Sequence, residues 1–541
     1  MMKTMNSLDL CILGGYLLIV FWIGLRFTKD AGKSTDHFFV ANRGLPWWIL
    51  GISMAATNYS IDTPLAITKL VSTQGVAGVW FWWAGALSAL LVAFLFSRLW
   101  RRAGVVTDAE IVELRYGGKP AAMLRLFKGF YFGVFFNVFI MAWVFLALQK
   151  VIAAMTDLPT LPLLISGTLL AFIYTVASGI YGVILTDLFQ YGFAALGAIL
   201  IAYFSVAHIG GLEQLWVKLE SAPDSLTAFS AFSDENTMLP SSVFLTYICV
   251  KWWAHKWADG GGKHIQRMLS AKDEKHAMWA TIFFAVNATL VVWPWIVTAL
   301  CAYVELGVQD DPEMGYPQMM ALALPHGVLG LSVACLAGAF MSTIDTHLNL
   351  GASYVINDLY RRFWKSDENE KHYVFMARVT MGLMLALSVI LSMNMESVAG
   401  AWKFLITFAS GAGVTWILRW FWWRVNAWTE FSAMLSSGII ASYLKFTQPE
   451  MLLSYKILLC VFGSMIIWLP ITFLTAPVSF DRLVEFVQKV KPGSLGWGPV
   501  YRYQSLEQQP YLLKALGYWI IAVVVLFSLN FLIGGLLLGK L

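Results

Sequence analysis

Charge is scarce in this chain. Asp, Glu, Lys and Arg together make 13% of its 541 residues, where a soluble domain carries roughly 25%, and the mean hydropathy is +0.67. That shortage excludes a soluble enzyme, a disordered protein and a nucleic-acid binder. Cysteine is sparse too: Cys11, Cys249, Cys301, Cys335 and Cys460 all lie inside apolar runs, without CxxC or Cys/His spacing, so neither a disulfide framework nor a zinc site is implied. Low-complexity segments and nucleotide-binding motifs are missing. The start, MMKTMNSLDL followed by CILGGYLLIVFWIGL, has one lysine and no small-residue cleavage site, and reads as a retained helix rather than a removable signal.

Hydrophobic residues fill the space that charge leaves, at 59% of the chain. One transmembrane helix takes about 20 mainly apolar residues. The apolar runs and their charged flanks predict fourteen helices, near 9–27, 46–73, 77–99, 123–152, 160–178, 180–205, 241–258, 275–304, 326–359, 372–394, 397–423, 428–446, 455–475 and 512–538. The expected protein is all-α and polytopic, a single transmembrane domain over residues 1–541.

Alternate connections differ in charge. One set holds Lys29, Lys33 and Arg43; Arg101, Arg102, Arg115 and Lys119; Lys256, Lys263, Arg267, Lys272 and Lys275; Arg361, Arg362, Lys365 and Lys371; and Arg482, Lys489 and Lys491. The other set is poor in basic residues and includes the acidic segments 213–235 and 305–313. The positive-inside rule makes the basic set cytoplasmic and puts both termini outside the cell. Two cytoplasmic segments read as locally helical: 107–116, where Thr107 and Glu110 have capping-box spacing, and 480–490.

Polar residues inside a span are costly and point to function. In MAATNYSIDTPLAI, the residues Thr57, Asn58, Ser60, Asp62, Thr63 and Pro64 fall mid-span. Pro64 lacks an amide donor and clashes one turn back, so the helix is expected to break near 56–60 and leave carbonyls at membrane depth, which is tolerated where they line a cavity. A kinked helix that seals its own hydroxyls explains Ser, Thr and Pro equally well; Asp62 favours a site. The run TYICVKWWAHKWADGGGKHIQR places Lys251 and His255 among aromatics, then Gly260, Gly261 and Gly262, which end or break a helix. The first break opens a five-helix block at 46–205 and the second opens another at 241–423; an odd number of helices inverts the second against the first, as in inverted-repeat transporters.

The ninth helix carries AGAFMSTIDTHLNLGAS. Ala339, Ser342, Thr343 and Thr346 follow the spacing i, i+3, i+4, i+7, and Asp345 and Asn349 extend the stripe. Hard cations want such oxygen ligands, although small and hydroxyl residues also let helices pack closely. Asp345 calls for neutralisation by a cation, a proton or a basic partner. Asp187, in GIYGVILTDLFQY, lies inside another span and suits either a cation or a structural Arg or Lys.

The stretch FFVANRGLPWWILGISMAATNYSIDTP, the GIYGVILTD run, QRMLSAKD after the seventh helix and AGAFMSTIDTHLNLGASYVINDLYRRF, in this order, resemble the sodium/solute symporter family, which includes sodium-coupled sugar, proline and sialic acid transporters. The match covers nearly the whole chain. It implies a five-plus-five inverted-repeat, leucine-transporter-like core with one extra N-terminal helix (9–27) and about three C-terminal helices (428–538). It also implies a sodium site from the carbonyls of Ala56, Tyr59 and Ala339 and the hydroxyls of Ser342 and Thr343. Some members hold a second sodium at positions matching Asp187, Ser342, Asp345 and Thr346; an aspartate stands at 345 where a serine is usual, which strengthens a cation site or makes it a proton site. Asp62 and Thr63 match sugar-contacting positions, and Trp257 falls near an aromatic inner gate. Asn58, Trp82, Lys251 and His255 complete the substrate-facing candidates. The YWxxNQ pattern usual before QR in sugar members is replaced here by WADGGGKHIQR. Lys251 suits a carboxylate and Asp62 suits hydroxyls or an amine; the two are also placed to pair in an empty site.

The expected function is sodium-coupled import of a small polar organic solute (sugar, sugar acid, amino acid or carboxylate) across a plasma membrane, probed against two rivals. One is a proton-coupled symporter using Asp345 or Asp187, with His255 accessory; the other is a solute sensor that does not transport. An enzyme would need a nucleophile/base pair or a metal cluster, and His208, His264 and His326 are scattered. Na+ is the expected coupling ion, one or two per cycle; the expected partners are the solute and the lipid bilayer, with no nucleic acid and no obligate protein partner.

Overall fold

The computed structural model describes residues 4–26, 43–156, 159–232, 238–505 and 511–540. Segment 27–42, with Lys29 and Lys33, and residues 233–237 of the acidic connection lie outside the described residues. Helices account for most of the rest, with no β-strand among the described residues. We number the main helices α1 Ser7–Arg26, α2 Trp47–Ala56, α3 Asp62–Gln74, α4 Val76–Ala103, α5 Gly118–Met155, α6 Thr160–Ile209, α7 Ser241–Lys251, α8 Gly262–Ser270, α9 Glu274–Leu306, α10 Val328–Trp364, α11 Glu370–Ser392, α12 Val398–Ser410, α13 Gly413–Phe421, α14 Ala427–Thr447, α15 Leu453–Leu474 and α16 Leu512–Leu537. Among the described residues, eight helices are long and apolar enough to cross a membrane, or nine with the bent pair α12–α13, which turns by 43°.

One expected boundary is replaced. The helices foreseen at 160–178 and 180–205 are a single helix, α6, of 50 residues. Ser178 and Gly179 do not end it, because an internal glycine costs a helix only about 1 kcal/mol and no proline follows. Its part Gly182–Ile209 is long and apolar enough to cross a membrane.

Two helix groups meet in the centre. Helix α9 packs against α2 and α4; α5, α6, α10 and α11 pack on one another, and α1 lies along α6 and α10. The groups touch where α2 crosses α6 and α10. The break between α2 and α3 spans 57–61, and Pro64 sits in the first turn of α3, where its missing amide costs nothing. The amides there are satisfied locally: Thr57 N bonds to the Ser53 carbonyl (3.1 Å), Asn58 N to that of Ala55 (3.0 Å) and Thr63 N to that of Ser60 (3.1 Å).

The second break, 252–261, is longer. Its chain reverses through Gly260 (φ 129°) and Gly261 (φ 67°), angles that a side chain resists. A Cβ on Gly261 would stand 1.8 Å from Trp257 Cδ1. Asp259 anchors this turn: its carbonyl accepts from the Trp100 indole (2.7 Å) and its carboxylate from the Trp420 indole (2.9 Å) and from Arg419. Arg419 in turn faces Glu430 (3.6 Å), which Lys128 (2.6 Å) and the Tyr116 hydroxyl (2.6 Å) also hold. Opposite charges buried together in this way stand in for the water they have lost.

Gly261→Ala therefore combines a left-handed backbone with a steric overlap, and is expected to destabilise the protein by about 2 kcal/mol or more. Gly14→Ala, where a Cβ meets nothing within 4 Å, leaves the melting temperature in detergent within a degree or so; equal melting of the two variants would contradict this account of the break.

Candidate functional site

A cavity of about 170 Å³ lies between the two breaks. Thr57, Asn58, Ser60, Asp62 and Thr63 bound it from the first break, Lys251, His255, Lys256 and Trp257 from the second, and Lys263 and His264 from α8. Thr343 and His347 of α10, Trp82 and Ser88 of α4 and Trp402 of α12 close the remaining sides. All seven expected substrate residues thus line one space: Asn58, Asp62, Thr63, Trp82, Lys251, His255 and Trp257.

Their partners are specific. Asp62 Oδ2 accepts from the Trp402 indole (3.0 Å); Oδ1 is buried without a hydrogen bond of ordinary geometry, with the Ser60 hydroxyl beside it. Lys251 does not pair with Asp62: its ammonium donates to the Phe81 carbonyl and lies 4.3 Å from that ring's centre. The amide of Trp257 donates to His255 Nδ1 (3.0 Å), which puts the proton of the neutral ring on Nε2, facing Ser88 Oγ at 3.3 Å. His264 Nδ1 donates to the Gly260 carbonyl (3.1 Å), leaving Nε2 a buried acceptor without a partner.

Beside the cavity, Asp187 of α6 ties three other helices together. Ser53 of α2 and Ser342 of α10 donate to its two oxygens, each at 2.5 Å, and the Arg267 guanidinium of α8 approaches to 3.5 Å. The same guanidinium donates to Thr346 (2.7 Å) and to Ser53 (3.2 Å). Ser342 of α10 and Ser53, one turn before the end of α2, thus reach the same carboxylate, and the two helices are in contact; Ala56 closes α2, Tyr59 lies in the break, and Thr343 Oγ1 donates to the Ala339 carbonyl (3.1 Å). Asp345 accepts from Thr175 of α6 (2.7 Å).

Three basic residues expected in a cytoplasmic connection are buried inside the protein instead. Lys256, Lys263 and Arg267 are 7%, 9% and 0% exposed, because the chain turns back into the protein at Gly260 and Gly261 and re-enters as α8. Sequence reading also missed Ser53 and His347. The signal that would have found Arg267 is its place on a helix beginning at the glycines, where an arginine four residues past Lys263 shares the inward face.

The sequence matches the model of the sodium:solute symporter family over residues 38–437. The chain belongs to that family. It is 23% identical to the sodium/glucose cotransporter of Vibrio parahaemolyticus over 88% of this chain and 92% of that one. It is 24% identical to sodium/myo-inositol cotransporter 2 of Sus scrofa, over 83% and 72%. A sodium-coupled sialic acid symporter, solved substrate-bound and outward-open, superposes with a TM-score of 0.74 at 20% identity, over 88% of this chain and 99% of that chain. That likeness shows the fold, the five-plus-five inverted-repeat core. The protein is a sodium-coupled solute symporter, a multi-pass membrane protein and not an enzyme.

In this symporter the Arg267–Asp187 pair is fully buried, and removing one partner of such a pair costs about 3–5 kcal/mol. Arg267→Met is expected to lower the melting temperature sharply, and Arg267→Met with Asp187→Asn to recover a large part of the loss. A double variant as unstable as the sum of the two singles would show that the pair is not coupled.

Proposed function

We propose that the coupling sodium binds at the crossing of α2 with α10, on the carbonyls of Ala56, Tyr59 and Ala339 and the hydroxyls of Ser342 and Thr343, and that the imported solute, a small polar organic molecule, binds in the adjoining cavity. The observation that carries this reading is the broken helix itself. It leaves carbonyl oxygens at the end of α2, which is in contact with the hydroxyl-bearing helix α10, and hard oxygen donors suit a monovalent cation. Thr343, one of these ion ligands, also lines the cavity, so ion and solute share a wall.

Sodium at this crossing holds α2 against α10 and preorganises the solute cavity; the gain in solute affinity from sodium equals the gain in sodium affinity from solute. Rocking of the α2–α4–α9 group against the α5–α6–α10 group then exposes the cavity to either side. The reading carries one sodium per cycle. The place for a second cation, between Asp187 and Thr346, is bridged by Arg267, a cation that the chain supplies. Symport across the plasma membrane with both termini outside agrees with the basic segments 101–119, 361–371 and 482–491 on one side.

Sodium, against choline, is expected to raise the melting temperature of purified protein along a saturating single-site curve. Ser342→Ala with Thr343→Ala should shift the half-maximal sodium concentration upward by about tenfold, some 1.4 kcal/mol. An unchanged sodium curve would remove this ion site, and stabilisation that follows pH rather than sodium would favour proton coupling.

A further inference from the structure

Three ammonium groups enter the cavity and one carboxylate answers them. Lys251, Lys256 and Lys263 all line it, and the only acidic side chain among its lining residues is Asp62. Among the described residues, no carboxylate lies within ion-pair distance of any of the three. Lys251 donates to the Phe81 carbonyl. Lys263 donates to the carbonyl of Thr57 at 3.0 Å, at the edge of the first break. Lys256 rests against aromatic faces, 4.5 Å from the centre of Phe136 and 5.5 Å from that of Phe132. Asp108, the acid nearest in influence to Lys256, is bonded to the Tyr354 hydroxyl instead.

Carbonyls and ring faces relieve a buried ammonium only in part; an isolated charge out of water is costly until an opposite charge joins it. The cavity thus gathers three basic side chains against one carboxylate, and an anionic guest would hold all three in their charged form. It also holds two buried acceptors without a hydrogen bond of ordinary geometry, Asp62 Oδ1 and His264 Nε2, and the indoles of Trp82, Trp143, Trp257 and Trp402. Acceptors of this kind take hydroxyl protons, and indole faces take the C–H face of a compact ring.

Resting on the cavity assignment above, we propose that the solute is a polyhydroxylated organic anion, a sugar acid in chemical class: its acidic group is held among Lys251, Lys256 and Lys263, and its hydroxyls donate to Asp62 and His264. With one sodium, a monoanion of this class enters as a neutral pair. Neutral hexoses lack the group that three lysines await, and cationic amines are repelled.

The test is thermal stabilisation of the full-length protein in detergent, in sodium and in choline. The probes are D-glucuronate, D-gluconate and N-acetylneuraminate, each against its neutral counterpart (D-glucose, sorbitol, N-acetylmannosamine). At least one anion is expected to stabilise in sodium at a concentration tenfold or more below its counterpart. Lys251→Met, Lys256→Met and Lys263→Met should each weaken that anion by at least tenfold while the sodium shift without solute persists, which separates lost charge from lost folding. A neutral or cationic compound that stabilises as well as the anions, or no stabilisation by any of the three anions, overturns the anion assignment and leaves the sodium site standing. Loss of the sodium shift itself in the unaltered protein overturns the underlying reading of the site.

Discussion

The Asp187 carboxylate is the contact on which this architecture turns. It lies at membrane depth, where a lone charge is expensive, and it is stabilised only because α2, α8 and α10 each bring it a donor. Ser53, Ser342 and Arg267 thereby fix the crossing of α2 and α10 and, with it, the carbonyl end of α2. Side chains from four helices meeting at one group give the centre a single arrangement, and the cavity beside it inherits its shape from that arrangement.

The two breaks do different work. The first is short, is stitched by its own amides, and offers oxygen atoms. The second is long, is held by Asp259, Arg419 and Glu430, and offers nitrogen. Lys251, His255 and Lys256 precede its glycines, and Lys263, His264 and Arg267 follow them, so one folded-back segment supplies every lysine that lines the cavity and the arginine beside it. Oxygen from one break and nitrogen from the other is the division of labour expected where a cation and a polar solute are handled side by side.

Much of this was legible in the sequence, where the rule is local. Pro64 and Asp62 inside an apolar run announce a break, and the spacing of Ala339, Ser342, Thr343 and Thr346 announces one helix face, because each depends on residues within two turns. Lys256, Lys263 and Arg267 were not legible in that way. Counting charge between spans assumes that the chain between them stays in water, and the return of α8 into the protein defeats the assumption. The pairing of Arg267 with Asp187 joins residues 80 positions apart, and no local pattern encodes it. The uninterrupted α6 was missed for the opposite reason: a Ser-Gly pair suggests a turn, while packing against α1 and α10 is what decides.

Arg267 has an electrical consequence. A dissociable ion beside Asp187 would travel from one face of the bilayer to the other, and the voltage would act on it with about 2.3 kcal/mol per elementary charge for each 100 mV. A guanidinium anchored to the backbone shifts with its helix and then returns, so over a complete turnover the field does no net work on it.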